Sequence, residues 1–205
     1  IVRLQCTMAA LVALMEGLKV ADGNSASFVA AVNSAPASAG ATIASLVETL
    51  SVNSLKAIEA LAQNCCIHVE AHINKHFAAI LCNAANKDKD IRAAAVSTCT
   101  TFAAKMSADN TRNILPILFE VSKGGYGLQG GTAFNARVAA LNVIHSLAEN
   151  APDQLGFALP SVVPEVTGPM SDPKKQISSA AHDALVAACE VIGNRDIEHM
   201  TGKMS

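Results

Sequence analysis

Tryptophan is absent, tyrosine occurs once, and aromatic residues make up only 3% of the 205 residues. A core without large rings has to be filled by Ala, Leu, Val and Ile, which suits helices packed closely on one another. Charge is sparse as well: Asp, Glu, Lys and Arg are 16% of the chain, with a net charge of −2. A chain so balanced is not, taken whole, an electrostatic binder of nucleic acid, and any such contact has to be a local basic edge. No apolar run reaches the ~20 residues that cross a bilayer. The longest uncharged stretch, residues 23–47, is loaded with Ser, Asn, Gly and Pro36, so no membrane partner is expected. There is no signal-peptide pattern, and the six cysteines (Cys6, Cys65, Cys66, Cys82, Cys99, Cys189) fall on helix faces rather than at framework spacings. That combination predicts reduced thiols and a cytoplasmic location.

What the chain does have is a repeated helical pattern. Residues 86–106 read as a charged turn feeding an amphipathic helix, with Ile91, Ala94, Ala95, Thr98, Phe102 and Met106 on one face. Asn86 or Asp88 is placed to cap it. The pattern returns at Asp172-Pro173-Lys174-Lys175, followed by Ile177, Ala180, Ala181, Ala184, Leu185, Ala188 and Ile192. Between them residues 133–151 give a third helix, and upstream residues 54–65 a fourth through Ala57, Ile58, Leu61, Ala62 and Cys65. A recurrence of about 40 residues predicts stacked helical hairpins of the HEAT or armadillo kind. The expected fold is all-α: a right-handed HEAT-repeat solenoid of four to five antiparallel helix pairs, one domain over residues 1–205.

Further helices are expected at residues 1–20, 27–32, 42–50, 67–82, 110–123 and 155–170, with a flexible connector at 34–40. Pro116, Pro160 and Pro164 predict bends in the first helix of successive hairpins. Residues 124–131 read as a glycine-rich loop, and Gly193-Asn194-Arg195-Asp196 as a turn before a last helix at 197–204. The chain opens at Ile1 in mid-helix and without a methionine, which reads as a piece of a larger protein.

Three constellations could carry chemistry. Gly125-Tyr126-Gly127-Leu128-Gln129-Gly130 spells G-x-G-x-x-G, but a helix precedes it and no βαβ pattern surrounds it; Gly131 stands where a P-loop needs lysine. It reads as a loop, and no cofactor is expected in this chain. Cys65, Cys66, His68, His72 and His76 are the densest group of metal-capable side chains. His72 and His76 stand i, i+4 on one helix face, but zinc wants a third and fourth ligand in fixed geometry; the histidines are spaced like any polar stripe and the cysteines end an apolar face as core residues do, so no metal site is expected. No Ser/His/Asp or Cys/His arrangement supports catalysis or a small-molecule substrate.

The third constellation is Lys87, Lys89, Arg92, Lys174, Lys175 and Arg195. These sit in equivalent turns of successive repeats, so stacking would line them along one edge. A row of cations at repeat spacing can meet RNA phosphates despite a near-neutral total. With so few aromatics, that contact is expected to be to backbone.

Residues 82–91, then Ala136-Arg137-Val138-Ala139-Ala140-Leu141, Pro152-Asp153-Gln154, Asp172-Pro173-Lys174-Lys175-Gln176-Ile177 and Asn194-Arg195-Asp196-Ile197-Glu198 together resemble the HEAT segment of the elongation factor 3 family. The motifs keep their order over roughly residues 54–204, and the glycine loop at 124–131 departs from the fungal pattern. The resemblance implies a parent ABC-type ATPase that binds the ribosome and helps clear deacylated tRNA from the exit site. It further implies that the HEAT part supplies a ribosome contact while ATP binds in cassettes outside this chain. A HEAT segment of a ribosome-associated starvation-signalling scaffold and a generic protein-binding HEAT adaptor are the alternative readings.

Overall fold

The computed structural model describes residues 40–41 and 43–201, apart from the side chains at 64, 65, 68 and 192–201. The expected helices at 1–20 and 27–32, the connector at 34–39 and the end of the chain after Thr201 lie outside the described residues. Among those described, every regular element is helical. Packing divides the chain after Ser107 into two units.

In the first unit a helical stretch at 43–48 buries Ile43 and Leu46 and leads into α1 (Val52–Cys82). Ser51 caps α1 by accepting the Ser54 N–H at 3.2 Å. A 3-10 turn at Asn83–Ala85 follows, then α2 (Lys89–Lys105), which Asp88 caps by accepting the N–H groups of Asp90 at 2.8 Å and Ile91 at 3.4 Å. The expected inward face holds: Ala94, Ala95, Thr98 and Phe102 are buried, with Ile91 and Met106 half-buried at its ends.

The sequence reading divides residues 54–82 into two helices, whereas the structure carries one helical backbone from Val52 to Cys82. That backbone is bent. On a straight helix Leu55 and Phe77 would stand about 33 Å apart, at 1.5 Å per residue. Yet the Leu55 carbonyl accepts from Thr98 Oγ1 at 3.1 Å, and the Phe77 ring lies 5.4 Å from that of Phe102, one turn further along α2. Val52, Lys56 and Glu59 share a groove with Asp90, Ala93 and Ser97, so the start of α1 faces the start of α2. Glu70 instead accepts from the N–H and hydroxyl of Ser107, beyond the far end of α2, at 2.9 and 2.8 Å. The axis therefore turns between Glu59 and Glu70. No proline or glycine occurs in α1, and the turn accompanies burial of both apolar halves against α2.

The second unit holds a 3-10 turn at Ala108–Asn110, then α3 (Thr111–Ser122), α4 (Ala133–Asn150), α5 (Pro152–Met170) and α6 (Lys175–Thr201). α3 packs on α4 and α5 on α6; α4 also packs on α6 and α3 on α5, which makes two layers of alternate helices. Ile114, Leu118, Leu141, Ile144, Leu147, Leu155, Val162 and Ile177 form the core. Pro152 opens α5, where its missing N–H is no loss. Pro116, Pro160 and Pro164 are exposed within α3 and α5. Both helices run through these positions.

The turn expected at Gly193 is not made, since α6 continues through it to Thr201. A helical glycine costs only about 1 kcal/mol against alanine, too little to end a helix by itself.

Candidate functional site

Two basic turns are built on one plan. In the turn before α2, Asn86 Oδ1 accepts the Asp88 N–H at 3.0 Å and Asp88 Oδ1 accepts the Asp90 N–H at 2.8 Å. In the turn before α6, Asp172 Oδ1 accepts the Lys174 N–H at 2.9 Å. An aspartate closing on the amide two residues ahead is the local signature of helix entry.

The cations around these turns behave differently. Arg92 sends Nη1 back to the carbonyls of Asn86 and Lys87, both at 2.9 Å, and so pins its own turn. Lys87 and Lys89 are exposed and in no ion pair among the described residues. Lys174 is exposed with its ammonium 4.4 Å over the Phe134 ring, a cation–π contact from the turn to the start of α4. Lys175 opens α6 and is exposed. The side chain of Arg195 lies outside the described residues. Lys87, Lys89 and Arg92 thus share one turn of the first unit, and Lys174 and Lys175 one turn of the second.

Arg137, on α4, holds the second turn in place and was not singled out from the sequence. Its Nε donates to the Ser122 carbonyl at the end of α3, and its Nη2 reaches Asp172 Oδ2, both at 2.7 Å. The side chains are 21% and 13% exposed, so this pair is largely sheltered from screening. The Lys174 N–H holds the Asp172 carboxyl below its ordinary value; partial burial opposes this, and the Arg137 guanidinium adds to it. The available signal was Ala136-Arg137-Val138, an arginine set into an apolar helix face that needs a carboxylate from elsewhere. Lys123 pairs with Glu165 in the same unit.

The G-x-G-x-x-G stretch is a helix ending and a loop. The Gly125 N–H bonds the Glu120 carbonyl and the Gly124 N–H the Val121 carbonyl, both at 2.9 Å, with Gly124 at φ +91°. That is the Schellman arrangement, which requires a left-handed residue just past the helix. Helix α3 precedes it where a dinucleotide site needs a strand.

Among the described residues no three His, Cys, Asp or Glu side chains gather as metal ligands, with Cys65 and His68 outside that description. His72 instead packs on Gly40, where an added Cβ would come within 2.7 Å of the imidazole Nδ1. Cys66, Cys82, Cys99 and Cys189 are free thiols. Burial, then the charge of Glu70, pushes the Cys66 thiol up to about 12, and burial raises Cys82 and Cys99 too. Such thiols are poor nucleophiles. No described helix is long and apolar enough to cross a membrane.

Comparison with known proteins accounts for the two-layer helical plan. The model of the EF3 N-terminal HEAT repeat family matches residues 7–185. The chain belongs to this family. Elongation factor 3 of Phytophthora infestans is 32% identical over 141 residues, which are 69% of this chain and 13% of that protein. Elongation factor 3A of Saccharomyces cerevisiae is 28% identical over 148 residues, 71% of this chain and 14% of its own length. Elongation factor 3 of Gonapodya prolifera is 28% identical over 130 residues, 63% and 11%. The chain thus spans between about one-ninth and one-seventh of the length of these relatives.

Proposed function

We propose that this elongation factor 3-type HEAT module is a ribosome-docking arm whose contact is electrostatic and centred on Lys87 and Lys89. The observation that carries this is their state in the turn before α2: exposed, in no described ion pair, and beside an arginine already committed to the turn's own carbonyls. Two such ammonium groups are placed to meet rRNA phosphates with little loss of protein contacts. Lys174 and Lys175 present a second basic turn of the same construction, and Arg195 belongs to the proposed set by sequence position. The parent protein, on this reading, acts in the cytoplasm in translation elongation, using ATP bound outside this chain to release exit-site tRNA. The chain itself has no catalytic part.

The test is co-sedimentation of the chain with ribosomes across a salt series. Lys87→Glu/Lys89→Glu should abolish a salt-sensitive pelleting that the unaltered chain shows. Pelleting indifferent to both salt and these changes would sink the electrostatic assignment. Arg92 is left intact in that variant, because altering it would also loosen the turn.

A further inference from the structure

The connection from α3 to α4, residues 123–132, holds the protein's one tyrosine in an unexpected state. Tyr126 has φ +55°, alone among the described non-glycine residues, and it is 54% exposed. A left-handed backbone is disfavoured for an aromatic residue, and the glycines on either side of Tyr126 would adopt it without strain. Since the ring is half in solvent, burial does not repay that strain. Beyond it the surface is open: a Cβ added at Gly127, Gly130 or Gly131 would meet nothing within 4 Å.

This loop shares one end of the second unit with the basic turn before α6. Arg137 Cδ lies 3.9 Å from where a Gly124 Cβ would stand, and the same arginine pairs with Asp172. Asp172 in turn holds the Lys174 amide, and the Lys174 ammonium sits over Phe134 at the start of α4. The carboxylates of Asp172 and Glu165 are taken by Arg137 and Lys123, while Glu120 folds across Gly125 on the α3 side. Lys174 and Lys175 make no ion pair among the described residues, although Lys174 also acts on the Asp172 charge, and they lie on the same end as an exposed ring.

We propose that this end of the second unit is a platform for an unpaired RNA segment: Tyr126 stacks on a base while Lys174 and Lys175 contact the flanking phosphates. The proposal rests on the ribosome-docking reading and deepens it. Lys87 and Lys89 supply backbone contacts only, whereas Tyr126 requires a base splayed out of a helix, as single-stranded and loop RNA offers. An exposed ring on the same end as two lysines that make no ion pair matches a base with its flanking phosphates, the combination that unpaired RNA supplies.

The experiment is fluorescence anisotropy of the chain with labelled oligoadenylate, an abasic oligonucleotide of equal length and a duplex RNA of equal charge. The unaltered chain should prefer oligoadenylate. Tyr126→Asn, which tolerates the positive φ, should weaken oligoadenylate binding about tenfold and leave the abasic strand unchanged. Tyr126→Phe should retain the preference, and Lys174→Glu/Lys175→Glu should weaken all three ligands. Equal affinity for oligoadenylate and the abasic strand, or no effect of Tyr126→Asn, overturns the platform. If ribosome pelleting still depends on Lys87 and Lys89 in that case, docking stands without it; if pelleting is absent while the Tyr126-dependent preference is present, the docking reading alone falls.

Discussion

The turns before α2 and α6 look alike in sequence and share an aspartate that closes on the amide two residues ahead, yet they use their cations in opposite ways. Before α2 the arginine serves its own turn, and both lysines are left over. Before α6 the arginine comes from α4, ties α3 to Asp172, and one of the two lysines lies on a ring of α4. The first turn is self-contained, so its surface is spare. The second is a junction between hairpins, so part of its charge is structural. A count of lysines and arginines cannot separate these roles; the location of each partner does.

The comparison can be broken most sharply through its arginines. Arg137→Ala leaves Asp172 sheltered and unpaired and frees the Ser122 carbonyl, so stability should fall by about 2–3 kcal/mol, read as a lower urea midpoint. Arg92→Ala frees two carbonyls near the surface and should cost about 1 kcal/mol. Equal losses would mean that the two arginines do the same work.

Charge reversal sharpens it next. Lys87→Glu/Lys89→Glu should lower ribosome affinity by more than about tenfold, near 1.4 kcal/mol, and flatten the salt dependence by the loss of about two phosphate contacts. Lys174→Gln should have a small effect on stability, about 0.5 kcal/mol from the lost cation–π contact. A larger binding loss from the second turn than from the first would reverse the proposed order of the two sites.

Acid is the mildest probe. The Asp172 carboxyl is held below its ordinary value of 3.8, so the stability it contributes is fully present above that value and is lost as pH falls through the lower, folded-state value. Asp172→Asn should therefore show a flatter loss of urea midpoint than the unaltered chain on acidification below the carboxylate range. Identical slopes would remove Asp172 from the account of acid sensitivity.

Much of this architecture was legible in the chain because it is local. The spacing of Ala94, Ala95, Thr98 and Phe102 showed which face of α2 would be buried, and Asp88 lies where a cap belongs. The change of direction near Cys66 was legible as well, since the apolar pattern divides there. Its form was not: a helix boundary read from pattern turned out to be a bend within one helical run, with no proline or glycine to mark it. The Arg137–Asp172 and Lys174–Phe134 contacts were invisible for a different reason. Each joins residues far apart in the chain, and only packing of α4 on α6 brings them together. The roles of the candidate cations were therefore the least legible part, since whether a lysine is spare depends on neighbours that sequence spacing does not reveal.

The unbroken backbone of α1 also decides where the chain can be cut. A protease needs several residues of extended, accessible chain, and none exists from Val52 to Cys82 without melting helix against its core. Residues 123–132 form no helix and can be drawn out without melting one, with Lys123 and Tyr126 exposed at the start. Brief trypsin or chymotrypsin treatment therefore separates α3 from α4 before it parts the two arms of the bent helix, and the order of cleavage reads out which helix connections are slack and which are rigid.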